Sequence, residues 1–202
     1  MEKQVKVQTK SSDCDLHIVI EGVTPLLCNR FSEEAQEKAS SGSSTAMAAG
    51  VNGTPREIAE SKLYLDSKHQ PVIPQPNLLR CIIDAGKYFK AGKVKITTQK
   101  TSLIPACVNL HGFEYVIEHV QPWSVDSRPI RNPATGGRRL CHRPRFDDWR
   151  LTFDATLDLR DMNERLFREI MDRAGRSIGL GDFRLDCKGP FGKFCVVEWT
   201  RG

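Results

Sequence analysis

From Arg150 to Leu159 the chain alternates without a break. Leu151, Phe153, Ala155, Leu157 and Leu159 are apolar, and Arg150, Thr152, Asp154, Thr156 and Asp158 are polar. A period of two places the apolar side chains on one face of an extended strand, so this segment belongs to a sheet with one face buried and one in water. Leu166, Ile170 and Ala174, widened by Phe167 and Met171, then recur at helical spacing and predict an amphipathic helix to cover the buried face. Asp161 stands where its N-cap is expected, with Glu164 three residues on, and Gly175 is expected to end it. After a glycine-rich stretch, Phe194 to Trp199 reads as a second strand. A strand, a helix and a strand make half of a two-layer fold.

The front of the chain supplies the other half. Leu16, Ile18 and Ile20 alternate with His17, Val19 and Glu21, and read as a strand that ends at Gly22. Residues 71–74 (Pro-Val-Ile-Pro) are extended, because a residue before proline is pushed out of the α region. Leu78, Ile82, Ala85 and Phe89 form a stripe, with Leu79 and Ile83 beside it, in a helix that stops near Gly92. Two further strands are expected, at Val94–Thr97 and at Glu114–Val120. Residues 1–13 are polar and expected to fray. Residues 32–70 read as a flexible insertion, and 39–54, rich in Ser, Gly and Ala, bury too little apolar surface to offset their ordering entropy. Residues 121–149, with prolines 122, 129, 133 and 144 and the turn Thr135-Gly136-Gly137, read as a hairpin. Without the two insertions the order is β-α-β-β-α-β. That is an α+β, ferredoxin-like (RRM-like) pattern, an antiparallel sheet with two helices on one face, in a single domain over 1–202.

The 202 residues carry a net charge of +5, a modest basic excess. No apolar run approaches the roughly 18 residues of a membrane span, and the polar start predicts no secretory signal. Seven cysteines (14, 28, 81, 107, 141, 187, 195) are scattered with no Cys-x-x-Cys pair, which fits a reducing cytoplasm and no disulfide framework. Cys141-His142 with Cys187 and Cys195 lack the spacings of structural zinc, so neither a metal nor another cofactor is expected.

The charge is concentrated. Arg128, Arg131, Arg138, Arg139, Arg143 and Arg145, with His142, lie in a stretch that has no acidic residue. Phe146, Trp149 and Trp123 flank it. Guanidinium groups make bidentate contacts to phosphate, and aromatic faces stack on bases, so this hairpin is a candidate nucleic-acid contact. The alternative is a solvated loop whose arginines pair with Asp126, Asp147 and Asp148. A second concentration follows the last helix. Arg176, Arg184, Lys188 and Lys193 are interleaved with Gly175, Gly179, Gly181, Gly189 and Gly192. Glycine permits close backbone approach and the cations suit an anionic ligand, although an ordinary glycine-rich turn has the same look.

Three segments together resemble a known family. The first strand runs into Gly22-Val23-Thr24-Pro25-Leu26, the Ile73-Pro74 step opens a helix at Gln75-Pro76-Asn77-Leu78, and the glycine-rich loop precedes the final strand. In this order they resemble the RAMP superfamily, the RNA-binding proteins of CRISPR systems. Two departures stand out: Cys28-Asn29-Arg30, where the family often continues with glycine, and Gln75-Pro76-Asn77, where Gly-Ser-Ser is usual. Within the superfamily the chain is most similar to the backbone subunit of multisubunit effector complexes, which lines up along a guide RNA with copies of itself and other subunits. The resemblance implies that the hairpin over 121–149 is the projecting thumb. It also implies that single-stranded RNA is held by Asn29, Arg30, the thumb arginines, His142 and the cations and glycines of the loop, Gly179, Gly181, Gly189 and Gly192 among them.

Some relatives cut RNA. His142 is the candidate general acid or base here, but a histidine among arginines also serves as a phosphate contact. The loop after the first strand offers Ser32-Glu33-Glu34 and no aspartate. The reading is therefore binding without catalysis, with Asp182 capping a turn through its own backbone. Two alternatives stand beside it: a metal-independent endoribonuclease that uses His142, and a self-assembling structural protein of a phage or mobile element.

Overall fold

The computed structural model describes residues 13–31, 53–131 and 136–202. Their elements in chain order are β1 (Asp13–Gly22), β2 (Leu26–Leu27), α1 (Pro55–Glu60), β3 (Val72–Pro74), α2 (Gln75–Gly86), β4 (Lys90–Ala91), β5 (Val94–Lys95), α3 (Ile104–Cys107), β6 (Val108–Leu110), β7 (Glu114–Val116), β8 (Ser124–Arg131), β9 (Arg138–Phe146), β10 (Arg150–Asp158), α4 (Glu164–Arg173) and β11 (Phe194–Arg201). The fold is α+β with antiparallel sheets. Its main sheet has four strands in the order β11-β1-β10-β6.

The alternation of β10 does what its period dictates. It pairs with β1 from Asp13↔Asp158 to Glu21↔Arg150, which sets Leu16 against Ala155, Ile18 against Phe153 and Ile20 against Leu151. These residues join Leu78 and Ile82 of α2 and Phe167, Ile170 and Met171 of α4 in one core. The other face of the same two strands carries polar rungs: His17 with Asp154 at 2.7 Å, Thr156 donating to Asp15 at 2.6 Å, and Arg150 to Glu21 at 3.1 Å.

Several boundaries differ from the sequence expectation. Asn163, not Asp161, caps α4. Its side chain accepts from the Leu166 N–H at 2.9 Å, after the chain has buried Met162. Glu164 is drawn away to Trp199, whose indole donates to it at 2.8 Å, and to Arg201. Gly175 does not end the helix. The chain winds on through a wider π turn over Ala174–Ile178 and stops at Gly179, where φ is 80°. Gly175 is there for space, since a Cβ on it would lie 2.1 Å from the Phe194 carbonyl oxygen.

Neither strand expected between α2 and the hairpin forms a ladder in the main sheet, although Glu118, within the second, bridges Arg150 of β10 with a pair of backbone hydrogen bonds. Val94–Lys95 folds back on Lys90–Ala91 across Gly92, and Glu114–Val116 pairs with Val72–Pro74. The strand that completes the sheet is Val108–Leu110, paired with the end of β10. Of the stretch 32–70, residues 32–52, and with them most of the loop expected over 39–54, lie outside the described residues. Residues 53–70 are folded. Thr54 and Glu57 form a reciprocal capping box for α1, and Ala59 and Leu63 are buried. The polar residues 1–12 also lie outside the described set.

Candidate nucleic-acid interface

The glycine-rich loop is locked to the segment after β1. Asp182 N–H donates to Leu27 O at 2.7 Å, Gly192 N–H to Pro25 O at 2.8 Å, and Lys193 N–H to the Thr24 hydroxyl at 2.9 Å. Val23 N–H returns a bond to Lys193 O at 2.7 Å. Thr24-Pro25-Leu26-Leu27 and the loop are therefore one unit. The start of α2 closes the third side. Asn29, Tyr64, Asn77, Arg80, Asp182 and Arg184, with Gly179 and Gly181, line a cleft of about 230 Å³, and Cys28 and Cys81 form part of its wall. Three segments far apart in sequence thus share one concavity. Burial, and then the Asp182 carboxylate, push the Cys28 thiol up to about 12, so the wall stays uncharged there. Arg80 bonds Asp84 at 3.0 Å from an exposed position, and Arg184 donates to Gly181 O at 3.4 Å and faces Asp186 at 3.7 Å.

The loop glycines approach their own chain. A Cβ at Gly181, Gly189 or Gly192 would lie 2.3, 1.7 or 1.8 Å from the carbonyl oxygens of Leu27, Phe183 and Leu180. At Gly179 the nearest atom, Phe191 O, would be 3.1 Å away. The Cβ side of these glycines is therefore turned to the protein's own backbone, while Gly179 and Gly181 also line the cleft.

The basic hairpin is β8 and β9, paired from Ser124↔Arg145 to Arg131↔Arg138. Its arginines divide into two sets. Toward the base, Arg128 bonds Asp126 at 2.7 Å and stacks over Phe191 at 4.7 Å, and Arg145 reaches Asp147 at 2.6 Å. Arg143 is buried and donates to Asp182 at 2.5 Å, and its Nη1 has no hydrogen-bond partner among the described residues. This corrects two expectations. Arg143 is not a surface phosphate contact, and Asp182 does not cap a turn but ties the hairpin to the glycine-rich loop. At the far end, Arg131 and Arg138 are exposed on facing strands, and the Arg139 backbone stands opposite Ile130.

The flanking aromatics are not free stacking platforms. Phe146 and Trp149 are core residues, and the Arg56 guanidinium lies 3.2 Å from the Trp123 ring centroid while donating to Trp123 O at 2.9 Å. Lys62 completes this second clamp with a bond to His142 O at 2.7 Å. His142 meets the Ser127 hydroxyl through Nδ1 at 2.7 Å and does not line the cleft. Lys188 and Arg176 are exposed, and Arg176 donates to Asp172 O at 3.3 Å. Arg30 donates its N–H to Lys62 O at 2.9 Å. Tyr64 and Arg80 were not singled out from sequence. The Arg80/Asp84 spacing looks like any solvated helix pair, and Tyr64 sits in a stretch that reads as insertion. Among the described residues no group of His, Cys, Asp or Glu is gathered to hold a metal, and no helix is long and apolar enough to cross a membrane.

No protein-family model matches the sequence, and no curated protein matches it. Solved structures do. A chain in the cryo-EM structure of the Type III-B Cmr-beta bound to cognate target RNA superposes with a TM-score of 0.51 at 11% identity. The match covers 94% of this chain and 60% of that one, so the present chain spans less than two thirds of the neighbour's length. At this identity the likeness is one of fold.

Proposed function

We propose that this protein is an RNA-binding subunit of the RAMP type, which grips the backbone of a guide RNA within a multisubunit ribonucleoprotein of a CRISPR system and acts by binding, not by catalysis. The observation that carries the reading is the convergence of three landmarks: the Thr24-Pro25-Leu26 segment is hydrogen-bonded to the loop over 179–193, and that loop, Ile73 at the start of α2 and the Cys28-Asn29 step that follows the first segment line one cleft. The sheet order supports a ferredoxin-like core, because the last strand lies beside the first and the third lies between the first and the second. The likeness to a Cmr-beta chain favours the same reading.

In this assignment the hairpin is the thumb. Arg131 and Arg138 at its tip, Lys188 and Arg176 near the loop, and Arg80 and Arg184 at the cleft hold phosphates. Arg128, Arg143 and Arg145 brace the thumb on carboxylates instead. His142 serves as a backbone-anchored neighbour of Ser127 outside the cleft. The partners are single-stranded RNA, copies of the chain and other effector subunits, in the cytoplasm.

Binding of a labelled single-stranded RNA across a salt series tests it. The affinity falls log-linearly with salt, with a slope of about 0.7 for each phosphate engaged on the single strand. Arg131→Glu with Arg138→Glu lowers affinity for all sequences about equally. Affinity unchanged in this double variant at moderate salt removes the thumb assignment. Sequence-selective cleavage of RNA in EDTA, lost in His142→Ala, replaces the binding reading by catalysis.

A further inference from the structure

We infer that the cleft between α2 and the glycine-rich loop seats one guanine base of the bound strand, read by the Asp182 carboxylate. The inference rests on the RNA-binding reading and adds to it which part of the nucleotide enters the cleft.

One group on the cleft suits phosphate badly. Asp182 lies on the cleft beside Arg80 and Arg184, and its side chain is 29% exposed. A carboxylate only accepts hydrogen bonds, so it repels a phosphate and attracts a group rich in N–H donors. Arg143 donates to Oδ2 from the buried side, which fixes the carboxylate in place. Each carboxylate oxygen has two lone-pair sites, so Oδ2 retains acceptor capacity. The cations Arg80 and Arg184 are then left to the phosphates, and the acid to the base.

Size and shape narrow the occupant. The cleft holds about 230 Å³, less than the roughly 300 Å³ at which pockets for drug-sized ligands begin. One flat base fits this space and a duplex does not. Tyr64, half-buried on the lining, supplies an aromatic face, and the exposed Asn29 and Asn77 supply amides that donate and accept.

The choice among bases follows from donor patterns. Guanine presents N1–H and the 2-amino group side by side, two parallel donors matched to the two oxygens of a carboxylate. Adenine and cytosine each offer one amine beside a ring-nitrogen lone pair, which faces the second oxygen unfavourably. Uracil offers one N–H between two carbonyls, the worst match of the four.

The test uses the full chain without substitution, because changing Asp182 also releases Arg143. Fluorescence anisotropy compares short oligouridine RNA with the same RNA carrying one internal guanosine, adenosine, cytidine or inosine. The guanosine strand is expected to bind about five- to tenfold more tightly than the all-uridine strand, as one good bidentate pair provides. Inosine, which lacks the 2-amino group, loses most of that gain. Asn77→Ala reduces the guanosine preference, read as the ratio of guanosine-strand to oligouridine affinity. Equal affinity for the guanosine, inosine and all-uridine strands overturns the inference and leaves the RNA-binding reading standing. Failure of every strand to bind overturns both.

Discussion

Replacing Asp182 by alanine strands a buried cation, and the cost is legible in the geometry. The Arg143 side chain is 7% exposed, donates from Nε to Asp182 at 2.5 Å, and already has an unpartnered Nη1. Removing one partner of a buried ion pair costs about 3–5 kcal/mol. Asp182 is 29% exposed, so water enters where it is removed, and the low end, about 3 kcal/mol, applies. For a chain of this size that lowers Tm by roughly 6–12 °C. Arg143→Met behaves differently. It keeps the buried volume and leaves a carboxylate that water reaches, at a cost of about 1 kcal/mol. The double variant should then be more stable than Asp182→Ala alone, since it no longer buries an unpaired charge. Urea denaturation of wild type, both single variants and the double variant measures all four corners of the cycle. A loss under about 1 kcal/mol for Asp182→Ala, or a double variant as unstable as the sum of the singles, refutes the claim that this pair joins the hairpin to the loop.

Gly175→Ala should destabilise by about 1–3 kcal/mol in thermal melts, because the Phe194 backbone that its Cβ meets at 2.1 Å belongs to β11 and has little room to retreat. A thiol reagent added to the native protein should label Cys187 and Cys195 quickly and the five buried cysteines only after denaturation, with Cys28, whose thiol is held up to about 12, among the slow group. Acid should weaken the contact between α4 and β11. Arg201 and then Trp199 hold the Glu164 carboxyl below its ordinary value, so its contribution is present above the unfolded value and is lost as pH falls through the folded one. Asp158, brought down to about 2 by Arg160, loses its share from near pH 4 downward. Stability measured down the acid range should therefore fall less steeply in Glu164→Gln than in wild type.

How much of this was readable before folding depends on whether the cause of each feature is local. The alternation of β10 is local and was legible, as were the stripe of α2 and the basic hairpin. The cap of α4 was displaced by two residues, because Met162 has to reach the core before the helix can begin. Gly175 illustrates a deeper ambiguity: a glycine that stops a helix and one that admits a neighbouring strand look alike, and the neighbour here is Phe194. Val108–Leu110 is too short to show a period. In the candidate site, the arginine run shows no acid within itself, yet Asp182 lies 39 positions beyond Arg143 and reaches it only through the fold. The exposed tip arginines and the braced basal ones are therefore indistinguishable in one dimension.

The short helix α1 gives the hairpin a mechanical character. With Arg56 clasping Trp123, Lys62 fastened to the His142 carbonyl and Asp182 gripping Arg143, the two strands are anchored like a cantilever set in a wall. Load applied near Arg131 and Arg138 passes into the sheet as torque instead of being dissipated by bending at the root.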